Sequence, residues 1–223
     1  MGLFSAASKI PSLLSIVTSI FSSAWSISSI KEYEGERSGS FYSNVFNIFS
    51  MVLFIGGACL LLILKPFMSI YVGADFFRSW VYVPLLIYGI VFYSFSSYFG
   101  TIYGAVKKNF AVTITTVIAA VVNVVLSIVL IPRIGVFGGV IATMVGYVLI
   151  GVIRMIHSRK YIKVDFNYLT FILNSVILLI QVIFVSMEVY VYAVSVVGIA
   201  LLLLINFREI KNICRTIFRQ RAK

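Results

Sequence analysis

Charge is what this sequence has least of. Only 11% of its 223 residues are Asp, Glu, Lys or Arg, against roughly a quarter in an ordinary soluble domain. Acids are the scarcer sign, with seven Asp and Glu against eighteen Lys and Arg. There is one histidine and there are two cysteines. With no C-x-x-C pair and a single imidazole, no metal site can be assembled from spacing, and no cofactor is expected. Cys59 lies in an apolar run and Cys214 in a basic tail, at different depths, so no disulfide is expected. No glycine-rich phosphate loop is present, which argues against ATP hydrolysis. A membrane-embedded glycosyl or acyl transferase would need an acid or base near the interface. His157 stands in a basic loop without an acidic neighbour and reads as solvated, so the chain is not expected to be an enzyme.

What remains is apolar. Hydrophobic residues make up 61% of the chain and mean hydropathy is +1.08, more than a water-soluble core could absorb. The apolar runs are near-continuous rather than alternating, which excludes a transmembrane barrel. The expected fold class is an all-α polytopic membrane protein with about seven transmembrane helices. The clearest pair is 110–131 and 136–156, joined by Pro132-Arg133-Ile134-Gly135. Each run exceeds the about 20 residues that cross a bilayer as a helix.

Segment one spans 3–30. Pro11 and its serines weaken it as a signal-peptide core. Ser5, Ser8, Ser12, Ser15, Ser19, Ser22, Ser26 and Ser29 alternate spacings of three and four, which places them in one stripe on one helix face with Lys9 beside it. Such a stripe either seats a neighbouring helix or walls a wet cavity. Lys9 either meets an anion within the membrane or snorkels to the surface. Loop one, 31–40, carries Glu32, Glu34 and Glu36 between Lys31 and Arg37 and reads as a solvated loop. Segment two, 41–64, ends at Lys65-Pro66, and an interfacial loop holding Asp75 and Arg78 follows. Segment three, 80–106, has small residues at Ser96, Gly100 and Gly104.

Segment four places Thr115, Ala119, Asn123 and Ser127 on one face. Asn123 either hydrogen-bonds a neighbouring helix or faces water. Segment five has Gly138, Ala142 and Gly146 at the spacing that lets helices approach closely, and Arg154 near its end, where it could snorkel. Segment six, 168–187, has Thr170, Asn174 and Gln181 on one face. Glu188 marks a short turn, and segment seven covers 189–207. The tail, 208–223, alternates Ile210, Ile213, Ile217 and Phe218 with basic positions, as a helix lying on anionic lipid would.

Basic residues fix an expected orientation. Loops one, three and five plus the tail hold 14 Lys and Arg, and the opposite side holds four: Lys9, Lys65, Arg78 and Arg133. By the positive-inside rule the tail is cytoplasmic and the N-terminus of this chain is outside. Net charge of +11 is thereby used for orientation, and no nucleic acid is expected as partner. An external start so close to a helix raises the expectation that a further segment precedes it.

Two motifs carry a resemblance. The opening GLFSAASKIPSLLSIVTSIFSSAW is similar to a G-x-Y/F-S-x-A-x-K helix, and NVVLSIVLIPRIGVFGGVIAT resembles an N-x-x-L-x-x-x-L-I-P-x-x-G-x-x-G-A-x-x-A-T signature, with Gly139 where alanine is common. Both belong to bacterial polysaccharide flippases of the multidrug/oligosaccharidyl-lipid/polysaccharide exporter superfamily. The resemblance implies one bundle of a two-bundle fold over 1–156, two additional C-terminal helices over 157–207, and the basic tail over 208–223. It implies a bacterial cytoplasmic membrane, a lipid-linked oligosaccharide as cargo, and either a missing N-terminal bundle or an oligomeric partner. The residues expected to meet the cargo are Lys9, Ser12, Ser19, Asn123 and Arg154. Two alternatives stand beside it: a multidrug or cation exporter of the related branch, and a truncated, inactive remnant.

Overall fold

The computed structural model describes the backbone of residues 2–33, 38–71 and 74–211 and the side chains of 10–32, 39–70 and 77–211. Glu34, Glu36, Cys214 and the tail from 212 onward lie outside the described residues, as do the side chains of Lys9 and Asp75. Among the described residues there is no strand. Seven α-helices follow one another: α1 (Gly2–Tyr33), α2 (Ser38–Tyr71), α3 (Val83–Ala105), α4 (Asn109–Ile134), α5 (Val136–Ser158), α6 (Tyr168–Ser186) and α7 (Val191–Ile205). A 3₁₀ segment, Ala74–Tyr82, joins α2 to α3. Among the described residues six spans are long and apolar enough to cross a membrane, and α7 is a shorter apolar helix.

The burial pattern is that of a bundle in lipid. Val117, Val121, Val124 and Ile128 lie exposed along α4, as do Leu169, Ile172, Val176 and Ile180 along α6. A surface of this kind is stable only where hydrocarbon rather than water covers it. The chain is therefore an all-helical, multi-pass membrane protein.

The central helix is α3. Helices α1, α2, α5 and α6 all pack on it, α4 packs chiefly on α5, and α7 closes against α2 and α6. Aromatic rings fill the α1–α2–α3 junction, where Trp25 stacks on Tyr98 at 4.9 Å and Phe46 meets Phe99 at 4.9 Å. Each phenol there finds a carbonyl: Tyr98 Oη donates to Tyr42 O at 2.6 Å, and Tyr42 Oη to Ser29 O at 2.7 Å. This is how buried tyrosines are satisfied without water.

Prolines proved weaker breaks than the sequence reading expected. Helix α2 runs through Pro66 to Tyr71, and α4 runs through Pro132 to Ile134. Away from water a broken helix would leave several backbone groups unpaired, so the chain loses one hydrogen bond at each proline and keeps the helix. The α4–α5 turn thus shrinks to Gly135, whose φ of +61 suits a residue without a side chain. Between α6 and α7 the expected turn is present, with Glu188 (φ 59) and Tyr190 (φ 45) both left-handed.

The ends of the helices sort into two groups. Asp165 N donates to Ser43 Oγ at 2.8 Å, which ties the α5–α6 loop to the start of α2. Tyr103 at the end of α3 meets His157 at the end of α5, and Asn174 near the start of α6 meets Asn206 just past α7. At the other end, Lys65 lies over the Trp80 ring at 4.9 Å, and Tyr82 meets Phe137 beside the α4–α5 turn. The basic loops and the end of α7 therefore share one face of the bundle.

A buried guanidinium beside a membrane groove

Small residues determine how α5 meets its neighbours. A Cβ on Gly151 would fall 2.6 Å from Phe92 O, and one on Gly89 would fall 3.1 Å from Met144 Cα, so α3 and α5 touch backbone to backbone. On the α4 side, a Cβ on Gly146 would meet Asn123 Cβ at 3.3 Å. The small stripe of α4 faces this contact, and Thr115 and Ala119 are its buried residues.

Arg154 lies in the close-packed region so formed, one turn from the end of α5. It does not snorkel. Its side chain turns inward and is 6% exposed. The space is supplied by Gly100, where a Cβ would fall 3.2 Å from Arg154 Nη1. The guanidinium makes five hydrogen bonds. Nε donates to Thr115 Oγ1 at 3.0 Å. Nη1 donates to Ser96 O at 3.1 Å and Ser96 Oγ at 3.3 Å. Nη2 donates to Val112 O at 3.2 Å and Thr116 Oγ1 at 2.9 Å. Three helices are joined through one planar group, the geometry for which arginine is suited. Every acceptor is neutral, so the positive charge is solvated by dipoles and has no carboxylate among these partners.

Thr116 has a second role. It lines a groove of about 460 Å³ between α3, α4 and α5, together with Tyr93, Ala119, Asn123, Thr143 and Tyr147. The volume lies within the range of small-molecule sites. The side-chain amide of Asn123 makes no hydrogen bond to another helix among the described residues. It packs on Gly146 and faces the groove. Tyr93 and Tyr147 stand 4.9 Å apart across the α3–α5 contact. Hydroxyls and an amide thus lead up to the Nη2 edge of Arg154.

Of the residues singled out in sequence, Asn123 lines this groove and Arg154 is joined to its wall through Thr116. Ser12 and Ser19 are exposed on α1 and do not line the groove. Ser19 Oγ donates to Ile16 O at 2.8 Å, and Ser26 and Ser29 likewise bond carbonyls one turn back. The helix contacts α3 through Leu14, Thr18 and Trp25 instead, with Thr18 Oγ1 and Ser94 Oγ 2.8 Å apart. Lys9 belongs to α1. The sequence reading missed Tyr93, Tyr147 and Thr116: Tyr93 is one of several tyrosines in α3, and Tyr147 and Thr116 are single polar positions, which carry no periodic signal. It also missed the partner of His157. Tyr103, fully buried, meets His157 Nδ1 at 2.9 Å from 54 positions away.

No family model, no curated protein and no solved structure matches this chain.

Proposed function

We propose that this chain is part of a transporter that moves the anionic head group of a lipid-linked oligosaccharide across a bacterial cytoplasmic membrane, as the flippase resemblance implies. One observation supports this above the others: a buried guanidinium with only neutral partners, joined through Thr116 to a mostly apolar groove that also carries an amide and two phenols. An ionisable side chain inside a membrane helix is costly and marks a pathway more often than a scaffold. A diphosphate is the natural partner for such a group, because guanidinium pairs bidentately with phosphate oxygens. Arg154 lies one turn from the end of α5, at the basic end that the charge count expects to face the cytoplasm, where a lipid diphosphate would be met before crossing. Thr116, Asn123, Tyr93 and Tyr147 offer hydrogen bonds to the sugars behind it. Transport of this kind needs a polar path at the midplane that opens to each side in turn, which a separate bundle or a second copy would complete.

The test is complementation of a strain deleted for this locus, with surface polymer and cytoplasmic-leaflet lipid-linked oligosaccharide both quantified. Wild type is expected to restore polymer. Asn123→Leu and Arg154→Gln are expected to cut it at least about tenfold, a change of ~1.4 kcal/mol in the barrier, while the intermediate accumulates and protein level holds. Unchanged polymer in both variants, at equal protein level, would sink the reading. Loss of resistance to cationic dyes in place of polymer would favour the drug exporter.

A further inference from the structure

A second cavity opens at the basic end of the bundle and shares no lining residue with the groove beside Arg154. It lies between α2, the start of α6 and the end of α7, and holds about 370 Å³. Four of the eight asparagines in the sequence contribute to its wall: Asn47, Asn167, Asn174 and Asn206. Asn174 and Asn206 are nearly fully buried and pair reciprocally, with Asn174 Nδ2 donating to Asn206 Oδ1 at 3.2 Å and Asn206 Nδ2 to Asn174 Oδ1 at 3.0 Å. That pair alone would suffice to join α6 to α7. It does not account for Asn47 and Thr170, which also line the space. The side-chain amide of Asn47 makes no hydrogen bond among the described residues. At the rim stand one residue of each sign, Arg208 and Glu209, both exposed.

We infer that this cavity binds the phosphoethanolamine head group of a membrane phospholipid. The position suits a lipid, since the cavity sits where two apolar helices meet the basic end of the bundle, at the start of α6 and the end of α7. The rim charges match a zwitterion, with Arg208 for the phosphate diester and Glu209 for the ammonium. The amides set the choice among head groups. A primary ammonium has N–H donors for amide oxygens, and choline has none. A glycerol head group lacks the cation and leaves Glu209 without an opposite charge in the ligand.

The experiment is native mass spectrometry of the full chain purified in mild detergent, with phosphatidylethanolamine, phosphatidylglycerol and phosphatidylcholine added in equal amounts. Phosphatidylethanolamine is expected to be retained about tenfold over either competitor, equivalent to ~1.4 kcal/mol. Asn47→Leu is expected to erase that preference. Glu209→Lys is expected to turn it toward phosphatidylglycerol, a switch that misfolding cannot produce. Equal retention of the three lipids, or an unchanged preference in both variants, overturns the inference. Binding of soluble glycerophosphoethanolamine as tight as that of the lipid overturns it too, because the site would then serve a free phosphate ester.

Discussion

Arg154 makes five hydrogen bonds, yet removing its charge should cost little stability. Thr115 Oγ1 also donates to Ala111 O at 2.9 Å, and Thr116 Oγ1 to Val112 O at 2.8 Å. Both hydroxyls therefore keep a partner when the guanidinium goes. An apolar side chain of similar length removes a desolvated charge and leaves only the buried Ser96 hydroxyl, among these partners, without its hydrogen bond, so the gain and the loss largely offset. Arg154→Met is thus expected to lower unfolding stability by about 1 kcal/mol or less, while Arg154→Glu, which sets a carboxylate against carbonyls, should fail to accumulate. Thermal unfolding of the purified variants in detergent checks this, and a collapse of Arg154→Met would make the arginine a structural clamp. Sequence had marked Arg154 and Asn123 as polar groups out of place in apolar helices. Their surroundings were not legible, because Ser96, Gly100 and Thr115 reach Arg154 from other helices, at separations where spacing carries no information.

Helix identity was the most legible feature, because length and apolar run decide it. Helix ends were less so, and Pro66 and Pro132 misled the reading in the same direction, since a rule for water-exposed helices was applied where backbone groups have no alternative partner. The small-residue stripes were legible as contact faces, although which helix each one met was not. Gly151, outside every stripe noted, makes one of the closest of these contacts. Gly151→Val would place side-chain carbon within 2.6 Å of Phe92 O and push α3 from α5. It is expected to destabilise by about 1–3 kcal/mol, the usual cost of overpacking. Gly104→Ala has no atom within 4 Å of the new Cβ and should be neutral or stabilising by up to ~1 kcal/mol through helix propensity. Melting temperatures of the two variants side by side provide the check, and equal shifts would mean that the α3–α5 approach is looser than the backbone distances state.

Sidedness joins the sequence and the structure most directly. Counting basic residues assumed that loops one, three and five share a face with the tail. The Ser43–Asp165, Tyr103–His157 and Asn174–Asn206 contacts make that so for the described parts. The expectation that this face is cytoplasmic rests on charge alone, on 14 basic residues against four. The two statements come apart experimentally. Cys59 and Cys214 are first replaced by serine, and single substitutions Arg78→Cys, Gly135→Cys, Lys108→Cys and Arg159→Cys are then labelled in intact cells with a membrane-impermeant maleimide. All four positions are exposed, two at each end of the bundle. Labelling of 78 and 135 only is the expected result. Labelling of 108 and 159 only would keep the fold and invert it, placing Arg154 and the asparagine-lined cavity at the outer leaflet, where a head group leaves rather than arrives. Labelling of one position from each end would contradict the helix packing itself, because no orientation of this bundle exposes 108 and hides 159.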